Sequence, residues 1–421
     1  MNASLPLSAS SSAATAAPTS PALMPITARP EAVMVRGRGS YLWDDSGKQY
    51  LDFIQGWAVN ALGHCPQEIV DAITQQANTL ISPSPALHNR PQLELATLLT
   101  SLSDMAQVHF ANSGAEANEA AIKLARKWGQ KHRNGAYEVI STTNAFHGRT
   151  LAMMSASGKP GWDTLFTPMP TGFKKVPFGD ASAMANAVNS QTVAIMVEPV
   201  QGEAGVIVPP EGYLQALRDI ADAAGVLLIA DEVQTGLART GPLFASIGAG
   251  VAPDIMTLGK GLGGGVPVSA MLAKSHVCCF EHGDQGGTFN GTPLMTAVAL
   301  AVTKTVSDSA FLEQVQAAGA ALKVALQGVS DETGQGAIRG SGLLQAMHIP
   351  SGEAAAITAA AFERGLLVNA PRPDTLRFMP SLRVSVAEIE AACETLADAI
   401  VATVGSGPAA AATAGTETVS A

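Results

Sequence analysis

Short, mostly apolar runs recur along this chain, and each gives way to a polar stretch that carries glycine. Gln107–Ala111, Val193–Val197, Val226–Ala230 and Ile255–Leu258 are such runs, and helix-period segments such as Ala117–Lys131 lie between them. Runs this short suit strands buried on both faces better than helices. Buried strands alternating with helices predict an α/β fold with a mostly parallel sheet covered by helices on both sides. In such sheets ligands bind beyond the carboxyl ends of the strands. The chemistry is therefore expected just after these runs. At 421 residues the chain has room for more than one domain.

Composition narrows the function classes. Hydrophobic residues at 47%, charged residues at 14% and 41 glycines fit a large enzyme core rather than a disordered or coiled-coil chain. No apolar run approaches the ~18 residues of a spanning helix, so no membrane partner is expected. The net charge of −10 argues against a nucleic-acid partner but leaves room for a local cationic pocket. The cysteines, Cys65, Cys278, Cys279 and Cys393, are too few for a disulfide scaffold and point to a reducing, cytoplasmic setting. No Asp, Glu, Lys or Arg precedes Arg29. Neither a secretory signal nor an Arg-rich presequence is expected there. Residues 1–20 and 405–421 read as disordered extensions.

Three segments carry candidate chemistry. Ser113-Gly114-Ala115-Glu116 has the capping-box pattern of a helix start, where free N–H groups and the helix dipole can hold an anion. The same pattern also fits an ordinary capped helix. Asp231 follows the apolar run ending at Ala230, with Gln234 three residues on. An acid there is either a surface loop residue or faces the ligand crevice. Lys260 also follows a run and stands between glycines, which lets a planar ligand approach its amine closely. A partly desolvated lysine is a Schiff-base nucleophile. Gly259, Gly261 and Gly264 spell G-x-G-x-x-G, but Val266–Leu272 reads as a strand where a dinucleotide fingerprint needs a helix. An electrophilic pyridine between Asp231 and Lys260, with a phosphate on the helix start, would use all three segments. That ligand is pyridoxal 5′-phosphate.

Asn112–Lys127, Asn144–Thr150 (NAFHGRT), Val197–Gly205 (VEPVQGEAG), Ile229–Gly241 and Asp254–Gly265 closely resemble the class III pyridoxal-phosphate aminotransferases, within them the acetylornithine type. The likeness runs from about Val35 to about Ile400. It implies fold-type I: a large domain over 76–305 with a mostly parallel sheet, and a smaller α+β domain built from 21–75 and 306–404. It implies that Ser113, Gly114 and Ala115 bind the phosphate, that Phe146 stacks on the pyridine and that Asp231 pairs with the ring nitrogen. Gln234 is then placed at the phenolic oxygen and Lys260 carries the cofactor as an imine. Thr288 is implied to reach the phosphate of a second subunit, giving a homodimer with shared sites. Arg149 is implied to bind a substrate carboxylate, and Glu203 and Arg377 to handle both amino donor and keto acid. The implied substrates are N2-acetylornithine and 2-oxoglutarate.

The chain departs from the pattern at three positions. Gly287 stands where many relatives have a second threonine touching substrate, Trp57 where they have Ile or Tyr, and Ala238 where glycine is common. The His276, Cys278, Cys279, His282 cluster matches no zinc spacing, and no metal is expected. His147, beside Phe146, is expected to position rather than to act as base.

Overall fold

A computed structural model describes residues 22–405. The two terminal extensions expected to be disordered therefore fall outside the described residues, apart from Gly405, which caps the last helix. The centre is a seven-stranded sheet: β1 (Gln107–Ala111), β2 (Glu138–Thr142), β3 (Phe173–Val176), β4 (Thr192–Val197), β5 (Leu227–Asp231), β6 (Ile255–Leu258) and β7 (Ser269–Ala273). Their order across the sheet is β1-β7-β6-β5-β4-β2-β3. Only β7 runs against the rest, antiparallel to both β1 and β6.

Both faces of the sheet are covered at its centre, which is why the inner strands β4, β5, β6 and β7 read as largely apolar runs. Ala121, Leu124 and Ala125 of the helix Gly114–His132 pack with Met196, Ile229 and Ile255 on one face. Leu217 and Ala221 of the helix Tyr213–Ala224 pack with Ile195, Val197 and Leu228 on the other. Neighbouring residues of one strand thus feed opposite cores.

Two four-stranded sheets flank this centre. In one, Met34–Arg38, Tyr41–Asp44 and Gln49–Asp52 are joined by Leu366–Leu367, which pairs parallel with Gln49–Asp52. The other orders Ile338–Ser341, Leu344–His348, Thr375–Phe378 and Asn369–Arg372. One apolar cluster runs from Leu51 and Phe53 through Leu258 and Leu272 to Phe378 and Leu396. The segments before and after the central sheet therefore share a core with its near end.

Three strands differ in their bounds from the sequence reading: β4 starts one residue earlier, at Thr192, and β5 and β7 are shifted toward the C-terminus. Asp231 is the last residue of β5, opposite Thr257, rather than the first of a loop. β7 starts at Ser269 because Val266 N–H closes a turn onto Gly263 O. The G-x-G-x-x-G stretch contains one 3-10 turn, Lys260–Leu262, and leads into that antiparallel strand. It opens no helix and lacks the context of a dinucleotide site.

Candidate active site

The carboxyl ends of β4, β5 and β6 open into a cavity of about 290 Å³. The start of the helix Gly114–His132 forms one wall. Ser113 Oγ accepts from Glu116 N–H at 3.3 Å, while Glu116 Oε2 accepts from Ser113 N–H at 2.7 Å. This box fixes the helix start and leaves the Gly114 and Ala115 N–H groups in the first turn, where no intrahelical acceptor exists. A side chain at Gly114 would meet Val233 Cγ1 at 2.6 Å. Glycine here lets the helix start close on the loop after β5. Gly114 and Ala115 line the cavity. Ser113 is not in that lining, and its hydroxyl is engaged in the cap.

Asp231 sits at the end of β5, almost fully buried and facing the cavity. Its Oδ2 lies 2.7 Å from His147 Nδ1 and accepts from Asn118 Nδ2 at 2.8 Å. Its Oδ1 accepts from Val233 N–H at 3.1 Å. Thr257 Oγ1 donates to Asn118 Oδ1 at 2.7 Å, turning that amide toward the carboxylate. Burial disfavours a charged His147, but the hydrogen bond to Asp231 and its charge outweigh it and hold the imidazole above its ordinary range.

Lys260 lines the cavity opposite. Its backbone is left-handed, with φ of 43°. Burial pushes its amine below the usual lysine range, opposed by the charge of Glu203 and reinforced by that of Arg377. Phe146 and Gln234 also face the cavity. Gln234 is held so closely against the Gly202 turn that a Cβ there would fall 1.4 Å from its Oε1. Gln234 Oε1 and His147 Nε2 are buried without a hydrogen-bond partner among the described residues.

Two arginines approach this cavity in different ways. Arg377, fully buried, donates from NH1 to Glu203 Oε1 at 2.8 Å and from Nε to Asn369 Oδ1 at 2.9 Å. Burial raises the Glu203 carboxyl, but Arg377 and then Lys260 outweigh it and hold it below the usual range. Arg149 lines the cavity and forms no ion pair with any described residue. The Trp57 ring lies 5.6 Å from Arg377 Cζ but is 47% exposed and outside the cavity lining. Gly287 and Thr288 are exposed; Gly287 borders a separate groove with His88 and Gln92. A single chain does not bring either to Lys260.

Three residues of this site were not read from the sequence. Asn118 and Thr257 orient Asp231. Glu198, at the end of β4, is buried and accepts from Phe146 N–H at 2.8 Å. Burial, with the charge of Asp231, raises its carboxyl to about 7 against the pull of His147. Asn118 alone left a signal: it stands one helical turn after Gly114, on the same face. Among the described residues no group of three or more His, Cys, Asp or Glu side chains gathers as a metal site. No described helix is long and apolar enough to cross a membrane.

A first-turn anion site, an aromatic face, a buried carboxylate at a strand end and a lysine with a depressed amine suit one flat, anionic, electrophilic ligand. The sequence profile described as "Aminotransferase class-III" matches residues 25–400. Acetylornithine aminotransferase 2 of Bordetella bronchiseptica is 54% identical over 386 residues, covering 91% of this chain and 97% of that protein. The ornithine aminotransferase of Toxoplasma gondii ME49 superposes with a TM-score of 0.87 at 32% identity, over 90% of this chain and 93% of that one. The N-acetylornithine aminotransferase of Stenotrophomonas maltophilia K279a does so with 0.78 at 34% identity, over 88% and 96%. The chain therefore belongs to the class-III aminotransferases, fold-type I transaminases that work with pyridoxal 5′-phosphate.

Proposed function

We propose that this enzyme moves the terminal amino group of N2-acetyl-L-ornithine to 2-oxoglutarate in two alternating half-reactions, giving N-acetyl-L-glutamate 5-semialdehyde and L-glutamate, a step of arginine biosynthesis. The carrying observation is the unequal treatment of two arginines: Arg377, outside the lining, is covered by the cavity residue Glu203, whereas Arg149, in the lining, has no acid partner among the described residues. A covered inner cation disfavours donors with a carboxylate beside the reacting amine. An uncovered outer one welcomes a carboxylate at the far end of the substrate. The likeness to acetylornithine aminotransferase 2 of Bordetella bronchiseptica supports the same donor.

The residues fit the cofactor. Gln234 Oε1 is a buried polar atom without a partner in the cavity wall, and the first-turn N–H groups of Gly114 and Ala115 want an anion. In this reading Gly114 and Ala115 would hold the phosphate, Phe146 would cover the ring face, Gln234 would face the phenolic oxygen and Lys260 Nζ would be the amine that anchors the cofactor. When bound, the cofactor supplies an electron-withdrawing ring that stabilises negative charge on the substrate carbon. Asp231, held by His147 and Asn118, keeps a proton at the ring nitrogen. Lys260 Nζ, which burial shifts below the usual lysine range, would take the proton from the donor carbon and return it during exchange. Glu203 covers Arg377 in the first half-reaction and leaves it for the carboxylate of 2-oxoglutarate in the second.

The same reading makes the enzyme a cytoplasmic homodimer whose partner subunit completes the phosphate site through Thr288. Its test is a panel of amino donors with 2-oxoglutarate on the loaded enzyme, with borohydride fixation and peptide mapping. N2-acetylornithine should lead the panel and the label should fall on Lys260. A leading ornithine, succinyl-diaminopimelate or 4-aminobutyrate would replace the substrate, and a label on another lysine would overturn the site.

A further inference from the structure

Arg149, which lines the cavity, and Arg377, which pairs with the cavity residue Glu203, are held by different chemistry. Arg377 is pinned by an acid, an amide and the Gly202 carbonyl. Arg149 is held by rings. Its Cζ lies 5.3 Å from the Trp162 centroid and 5.9 Å from that of Phe146. The two rings meet edge to face, with centroids 5.7 Å apart and planes at 63°. Trp162 is 7% exposed, so its position is set by packing rather than by solvent. It does not line the cavity, whereas Phe146 and Arg149 do. Lys159 Nζ lies 5.2 Å from the same Trp162 centroid, and neither it nor Arg149 has a carboxylate partner among the described residues.

This difference matters for binding. An acid on Arg149 would compete with a substrate carboxylate for the edge of the guanidinium. An aromatic face attracts the cation through its quadrupole and leaves the N–H edge free for a bidentate pair. We propose that Trp162 is a positioning residue for the substrate's distal carboxylate: with Phe146 it holds the Arg149 guanidinium in place without an acid, so that the substrate supplies the only carboxylate Arg149 meets. This rests on the reading of Arg149 as the distal-carboxylate residue.

The test compares N2-acetylornithine with N-acetylputrescine, the same donor without its carboxylate, in single-turnover reactions of the holoenzyme. Trp162→Met keeps an apolar side chain but removes the ring face. It should lower the preference for N2-acetylornithine over N-acetylputrescine by roughly 2- to 5-fold, the range of a cation–π contact at an exposed cation such as Arg149. The loss should fall on half-saturation rather than on the limiting rate. Trp162→Phe should keep most of the native preference. Because the preference is a ratio within one variant, a smaller yield of folded enzyme cancels. In an Arg149→Ala background Trp162→Met should change the ratio no further. An unchanged ratio for Trp162→Met, or an undiminished effect in the Arg149→Ala background, would overturn the proposal. If Arg149→Ala alone leaves the ratio unchanged, the distal-carboxylate reading itself fails, and that outcome is independent of any Trp162 variant.

Discussion

His147 Nδ1 stands 2.7 Å from Asp231 Oδ2, and neither side chain reaches solvent. The ring is partner and brace at once: in its charged form it stabilises the carboxylate, and its packing stops the carboxylate from turning away from the cavity. His147→Ala should leave Asp231 short of a buried charge-assisted donor and lower the rate of both half-reactions by about 10- to 100-fold. The pairing also carries a pH signature. Because the folded imidazole titrates above its ordinary 6.5, its contribution to stability is complete below that value and fades as pH rises through the raised one. The stability gap between the native chain and His147→Asn, read by urea unfolding, should be widest near pH 6 and narrow toward alkaline pH. A gap that widens with pH would contradict it.

Glu198 has the opposite problem, an acid that burial keeps neutral. Its carboxyl moves from an ordinary 4.5 to about 7 in the folded chain, so it favours folding at low pH and that contribution is lost as pH rises between these values. Glutamine keeps an oxygen for Phe146 N–H and never ionises. Glu198→Gln should therefore gain roughly 2–3 kcal/mol of stability relative to the native chain on going from pH 4.5 to pH 8. Denaturant midpoints at the two pH values measure it, and a constant difference would show that Glu198 does not titrate in this range.

The Glu203–Arg377 pair is either a switch or a fixed tie between the Gly202 turn and the strand Thr375–Phe378. As a switch, Glu203→Ala should raise activity with glutamate relative to the terminal-amine donor. Arg377→Ala should slow the 2-oxoglutarate half-reaction by roughly 30-fold or more and the donor half-reaction far less. Arg149→Ala should slow both. Equal losses in both halves for Arg377→Ala, seen in single-turnover spectra, would leave only the tie.

Thr288 is exposed in the single chain and absent from the cavity lining, so its proposed role requires a second subunit. Losing its hydroxyl should weaken cofactor binding by about 1.5–3 kcal/mol without lowering the affinity between subunits. Equilibrium dialysis and sedimentation together check this. A monomer with full activity would rule the shared site out.

The fold was legible where one signal governed one element. β1 and β6 match their runs end for end: β6 is buried throughout between Asp254 and Gly259, and β1, an edge strand half-open at its start, stops at Asn112. Asp231 was legible from its run alone only as an acid at a strand end, which a surface loop would explain as well, and the resemblance placed it at the site. Its supports were not legible. Asn118 and Thr257 lie 113 and 26 residues from Asp231 in sequence, and a polar residue in a helix or a threonine in a strand reads as unremarkable alone. Glu198 lay within a recognised motif, but the burial that makes it unusual comes from β2, β4 and β5 closing together. Trp162 was unreadable for a related reason, since a ring's role depends on which cation folds over it.

The left-handed backbone of Lys260 sets reactivity against sturdiness. A side chain in that conformation strains the chain by roughly 1–2 kcal/mol, and this one also withdraws an amine from water. Without bound cofactor, the enzyme thus carries a local liability at its most reactive residue. A crippled variant should be the tougher protein. Lys260→Asn, whose side chain tolerates the left-handed region and brings no charge, should melt above the native apoenzyme and above Lys260→Ala. Loading with cofactor should reverse the order, because only the native chain can convert that liability into a covalent anchor.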